Sequence, residues 1–150
     1  MKKFKTYSDL ETIELGKKIG MAVKGEHVVI LLEGNLAAGK TTLTKGIALG
    51  LGITDVIKSP TFTIMRTYEN DGIKLYHLDL YRLNELGLDF DLEEYVYDDE
   101  GVVVIEWPFQ VMDLIPSKHI KIKIENNFDS RAFEITATNY EEVLNKIWKH

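Results

Sequence analysis

The chain has 150 residues, the length of one ordinary domain and enough to bury about 68–70% of the surface its unfolded form would expose. It has no cysteine, which excludes disulfides and thiolate metal sites, and its 4 histidines (His27, His77, His119, His150) fall at no familiar ligand spacing, so zinc chemistry is not expected. The 18 basic residues against 24 acidic ones leave a formal charge of -6, which argues against a free-standing binder of nucleic-acid phosphates; any such role needs a partner.

Met1-Lys2-Lys3-Phe4-Lys5 looks like the basic start of a signal peptide, but Asp9, Glu11 and Glu14 stand where the apolar stretch is required. No apolar run approaches the roughly 20 residues of a membrane span, the strongest being Val28 to Leu32. The expectation is a soluble, cytoplasmic protein without membrane contact. No repeat, low-complexity tract or linker divides the chain, so residues 1–150 are read as one domain.

Ser8-Asp9-Leu10-Glu11 is a capping-box pattern ahead of Ile13, Leu15 and Ile19, and it predicts a helix to about Val23. His27 to Leu32 is a continuous, β-branched apolar run that suits a strand covered on both faces. After a glycine-bounded loop, Leu43, Ile47, Ala48 and Leu51 follow helical spacing from Lys40, with Gly50 or Gly52 placed to end the helix in a left-handed turn. Thr61 to Tyr68 and Ile73 to Asp79 read as antiparallel strands around Glu69-Asn70-Asp71-Gly72, whose Asp-Gly pair is a hairpin signal. Val102 to Ile105 repeats the doubly covered signature and belongs beside the first strand.

In Lys118 to Glu125 the isoleucines 120, 122 and 124 alternate with His119, Lys121 and Lys123, and Phe133, Ile135 and Ala137 continue that alternation after Asn-Asn-Phe-Asp-Ser. This second hairpin is expected to close the sheet. Val143, Leu144, Ile147 and Trp148 give a short amphipathic helix.

Gly34-Asn35-Leu36-Ala37-Ala38-Gly39-Lys40-Thr41 fits G-x-x-x-x-G-K-[ST], with a buried strand before it and a helix after it. In that motif backbone N–H groups cradle phosphates, the lysine neutralises them and the hydroxyl binds Mg2+. The fold class expected is therefore α/β, a P-loop NTPase with a mixed parallel and antiparallel sheet flanked by helices. The nucleotide-binding candidates are the whole loop, Gly34 to Thr41, together with Thr42 and Thr61.

A phosphate loop needs a second acid at the end of a neighbouring strand to hold the metal, and Val102 to Ile105 delivers Glu106 there. Asp79 ends the other strand and shares a face with His77, Leu75 and Ile73, placing it to orient water or hold the metal shell; its plainer role is to cap a helix at Leu80-Tyr81-Arg82. In Ser59-Pro60-Thr61-Phe62 the proline keeps Ser59 extended, which presents Thr61 to a terminal phosphate as in nucleotide switches, or simply turns the chain into the next strand. Weaker signals are Trp107, a base-stacking candidate or packing, the Lys118, Lys121, Lys123 stripe, a basic patch or a solvated face, and Asn145-Lys146-Ile147-Trp148, which does not complete the guanine-reading N-K-x-D.

Together, the loop, Ser59 to Phe62, His77-Leu78-Asp79-Leu80-Tyr81-Arg82 and Ile105-Glu106-Trp107-Pro108 resemble the bacterial TsaE family, the small ATPase of tRNA threonylcarbamoyladenosine biosynthesis. The likeness covers nearly the whole chain. It implies ATP and Mg2+ at the loop, Thr41 and Glu106 as metal positions, Lys40 on the β and γ phosphates, and Asp79 in hydrolysis. It also implies work with the TsaB and TsaD proteins, with tRNA reached through that complex, during transfer of a threonylcarbamoyl group to N6 of adenosine 37. The rivals are a P-loop small-molecule kinase, which the 3 arginines (Arg66, Arg82, Arg131) serve poorly as a lid, and a nucleotide-gated binding module that needs no turnover.

One departure stands out. The family usually has L-G-A-G-K-T where this chain has Leu36-Ala37-Ala38-Gly39-Lys40-Thr41. If Ala37 must be left-handed, about 1–2 kcal/mol falls on nucleotide affinity, and binding is expected to survive in weakened form.

Overall fold

The computed structural model describes residues 1–35, 38–60, 65–80, 101–107 and 115–148. Along the chain these form β1 (Lys2–Thr6), α1 (Asp9–Val23), β2 (Val28–Glu33), α2 (Lys40–Gly50), β3 (Met65–Asn70), β4 (Ile73–Asp79), β5 (Gly101–Glu106), β6 (His119–Asn126), β7 (Arg131–Thr138) and α3 (Glu142–Trp148). The strands make one sheet in the order β1-β7-β6-β2-β5-β4-β3. Its centre is parallel, with β2 paired to β5 and β6, and β4 paired to β5, while β3, β7 and β1 join antiparallel.

The period of two along each strand sorts the core into two layers. Val28, Ile30, Leu32, Leu75, Val102 and Val104 face α1, α2 and α3, meeting Leu15, Ile19, Leu43, Ile47, Val143 and Ile147. Val29, Leu31, Tyr76, Leu78, Val103 and Ile105 pack in a separate cluster on the reverse face. Both apolar runs are thus doubly covered strands, lying side by side. Full burial of each Val, Leu or Ile contributes about 1.5–3 kcal/mol, which is why these runs fix the register of the sheet's centre. Among the described residues no helix is long and apolar enough to cross a membrane.

Local signals are met closely. The Ser8 hydroxyl accepts from Glu11 N–H at 3.1 Å, and the Glu11 carboxylate reaches back to Tyr7 N–H at 3.1 Å. At the end of α2, Gly52 is left-handed (φ 87°), with Gly52 N–H donating to Leu49 O and Ile53 N–H to Ala48 O, the two bonds of a glycine-terminated helix. Asp71 and Gly72 both have positive φ, as a two-residue hairpin turn demands. That turn is shorter than the expected four residues because β3 runs on to Asn70. The part of its expected range at 61–64 lies outside the described residues.

The sheet does not close at the second hairpin. Residues 2–6, to which the sequence assigned no element, form β1 on the outer side of β7, with Phe4 opposite Phe133 and Thr6 opposite Arg131. Lysines at 2, 3 and 5 suit an edge strand, where charge discourages pairing with further chains.

Candidate functional site

The phosphate loop starts at the carboxyl end of β2 and ends at the amino end of α2, where the first backbone N–H groups of a helix are unpaired and its dipole favours anions. Gly39, the residue before α2, has φ 102°, a conformation that disfavours any side chain. A Cβ there would also lie 2.9 Å from Cζ of Arg131, a side chain that would have to shift to admit it. At the other end of the loop a Cβ on Gly34 would lie 2.8 Å from the carbonyl oxygen of Ile124. Glycine is therefore required at Gly39 by backbone conformation and at Gly34 by packing against backbone.

Lys40 is only 3% exposed. Its ammonium donates to Gly34 O at 2.9 Å, folding across its own loop, and sits 3.9 Å from the centroid of the Trp107 ring. Burial lowers its pKa from the ordinary 10.5, against the opposing pull of the Glu106 and Asp79 carboxylates. These acids reach the lysine because β4 and β5 run parallel in register, with Asp79 opposite Glu106 at their carboxyl ends. By the strand period both share the helix-facing side with His77, Leu75, Val102 and Val104. Asp79 and Glu106 are 4% and 3% exposed.

His77 was not singled out in the sequence as a site residue. Its Nε2 lies 2.5 Å from Glu106 Oε2, and both side chains are buried. A carboxylate only accepts, so Nε2 carries the proton. The buried Nδ1 has no hydrogen-bond partner among the described residues. The contact holds Glu106 in one orientation. Its only sequence signal was the shared face of His77 and Asp79; the partner lies 29 residues away.

Trp107 has φ 59°, rare for a bulky residue, and its backbone N–H donates to Leu32 O at 3.4 Å. Its ring lies over the Lys40 ammonium, a contact that neither sequence reading named. Thr41 and Thr42 open α2 and are half-buried, while Asn35 is exposed and Ala38 buried. Leu36, Ala37 and Thr61 lie outside the described residues, as do Phe62, Tyr81, Arg82 and Pro108. Lys121 pairs with Glu33 at 3.2 Å and Lys118 lies 4.1 Å above Tyr140, so these two of the lysine stripe are engaged locally.

Among the described residues no group of three or more His, Asp or Glu side chains forms a metal cage. The two buried carboxylates at the ends of β4 and β5, with Thr41 in the first turn of α2, are a donor set that fits Mg2+, a hard cation that takes one or two carboxylates, phosphate oxygens and water.

The family model "Threonylcarbamoyl adenosine biosynthesis protein TsaE" matches residues 6–133. The Bacillus subtilis tRNA threonylcarbamoyladenosine biosynthesis protein TsaE is 36% identical over 151 residues, covering 99% of this chain and 94% of that one. The protein of the same name from a Nostoc species is 44% identical over 133 residues, covering 85% and 81%. A crystal structure of Bacillus subtilis YdiB superimposes with a TM-score of 0.82 at 34% identity, covering 99% of this chain and 95% of that one.

Proposed function

This chain belongs to the TsaE family of threonylcarbamoyladenosine biosynthesis proteins, and from that membership we propose that it is the Mg2+-dependent ATPase that acts with TsaB and TsaD in this tRNA modification. The observation that carries the proposal is the buried Lys40 ammonium, held at 2.9 Å on a carbonyl of its own loop with Glu106 and Asp79 in register beside it. Nothing in a plain strand-to-helix turn requires a charged group there, and burying one costs free energy unless a ligand uses it.

In this reading Lys40 exchanges the Gly34 carbonyl for oxygens of the β and γ phosphates, and the α2 N-terminus contributes its N–H groups. Thr41 and Glu106 hold the metal, with His77 fixing the Glu106 carboxylate. Bound Mg2+ supplies charge neutralisation on the phosphates. Asp79, on the next strand and at the same level, orients the attacking water. The Trp107 ring shields Lys40 from bulk water and so strengthens its pull on the phosphates. An acidic chain of charge -6 suits a protein that acts on the tRNA-bound complex through its partners.

The test is ATP turnover by the purified chain with Mg2+, alone and with TsaB, TsaD and tRNA, beside Glu106→Ala. Stimulation by the full set that disappears in the variant supports the proposal. A rate indifferent to the partners contradicts it and favours a kinase on the same loop, which a screen of small phosphate acceptors would then expose.

A further inference from the structure

The chain between α2 and β3 is laid along one row of β3 side chains. Residues 52–60 form neither helix nor strand, yet the row holds them at three successive points. Asn70 Nδ2 donates to Gly52 O at 2.6 Å, the Tyr68 hydroxyl accepts from Lys58 N–H at 3.2 Å, and Arg66 Nε donates to Ser59 O at 3.4 Å. Residues two apart on a strand share a face, and the register sets Arg66, Tyr68 and Asn70 opposite His77, Leu75 and Ile73. The segment therefore runs antiparallel to β3 on the helix-facing side of the sheet.

Tyr68 is the fixed point of the row. It is 9% exposed, and its ring belongs to the core cluster that also takes Ile53 and Ile57 of the segment. The bonds from Asn70 and Arg66 are exposed, where water competes for both partners, so the bond to the Tyr68 hydroxyl constrains the segment most. Beyond Lys58 there is little slack. Pro60 is buried, its ring fixes its own φ, and it keeps Ser59 extended, so an anchor at Lys58 is carried forward along the chain.

The topology says where the segment leads. At the start of β3, Met65 pairs with Leu78, the neighbour of Asp79, and Asp79 stands opposite Glu106. A chain entering β3 there arrives at the carboxyl ends of β4 and β5, beside the two acids that flank Lys40. Arg66 is also the cross-strand neighbour of His77, whose Nε2 holds Glu106. We propose that Tyr68 is a positioning residue of the nucleotide site. Its hydroxyl sets the stem of the Ser59-Pro60 segment at the height where that segment meets the terminal phosphate, so that the chain distinguishes a nucleoside triphosphate from a diphosphate. The inference rests on reading the loop as a triphosphate site.

Tyr68→Phe removes the hydroxyl and keeps the ring, and Asn70→Ala removes an exposed contact of the same row. With Mg2+ present, ADP and a non-hydrolysable ATP analogue are titrated into the wild type, both variants, Thr67→Ala on the exposed face of the same strand, and Lys40→Ala. Turnover of ATP and Tm are measured on the same preparations. Tyr68→Phe is expected to lower kcat and to weaken the analogue about fivefold, the factor one hydrogen bond of ordinary net strength contributes, while ADP affinity stays at the wild-type value. Asn70→Ala follows in the same direction with a smaller change, and Thr67→Ala matches the wild type. A hydroxyl that only stabilised the fold would shift Tm and both nucleotides alike. Equal losses for ADP and the analogue in Tyr68→Phe, or wild-type turnover in it, overturn the positioning role and leave the loop standing. Wild-type binding of both nucleotides by Lys40→Ala overturns the loop reading, and the role of Tyr68 with it.

Discussion

The position of the phosphate loop depends on how closely α1 and α2 approach, and Gly46→Ala tests that dependence. Gly16 and Gly20 of α1 face Gly46 and Gly50 of α2, backbone against backbone. A Cβ added at Gly46 would lie 2.8 Å from Gly16 Cα, with the Ile13 carbonyl closer still. Carbon contacts are optimal at about 3.5–4.0 Å, so the helices must part by roughly 1 Å. Overpacking of this kind costs about 1–3 kcal/mol, and alanine returns about 1 kcal/mol through its better helix propensity. The net loss is about 0–2 kcal/mol, or up to roughly 4–8 °C in Tm for a chain of this size. Function is the more sensitive readout. Lys40 is the first residue of α2, on the same rigid helix as Gly46, and a shift of about 1 Å in a catalytic group can cost ~100-fold. Gly46→Ala is therefore expected to lose ATP turnover by about that factor while melting cooperatively within ~8 °C of wild type. Leu49→Ala, on the exposed side of the same helix, serves as the control. Wild-type turnover in Gly46→Ala would refute the claim that the helix crossing sets the loop.

Asp79→Ala is expected to bind ATP at close to wild-type affinity and to lose turnover, because its proposed role lies with the water rather than with the phosphates; equilibrium titration and phosphate release on the same preparation check both halves. Lys40→Met is expected to remove ATP binding without lowering the Tm of the ligand-free protein, since the surroundings of Lys40, summed, disfavour its charge. The pH dependence carries a sign. With the folded pKa below 10.5, the unfolded chain binds more protons between the two values, so wild-type stability rises with pH across that alkaline window. Lys40→Met lacks this rise, and the Tm difference between the two should shift steadily in favour of wild type as pH approaches 10.5. A pH-independent difference would contradict the buried-charge account.

What the sequence made legible was local or periodic. The capping box at Ser8, the Asp71-Gly72 turn, the Gly52 helix end and the doubly covered runs of β2 and β5 each state their structure within a few residues. Glu106 and Asp79 were legible as candidates because a strand end beside a phosphate loop is a defined place for an acid, and the register of β4 and β5 sets them opposite each other. Features created by pairing distant segments were not. Lys2 to Thr6 has the composition of a basic tail, and only β7, more than a hundred residues later, makes it a strand. The same holds for His77 on Glu106 and for Arg131 against Gly39, where the sheet register and not spacing in the chain brings the groups together.

The central claim is that Lys40 and its loop hold the triphosphate of ATP. Calorimetric titration of ATP with Mg2+ into the wild type and Lys40→Ala tests it most directly. The account predicts saturable one-site binding by the wild type and none by the variant. Equal binding by both would contradict it.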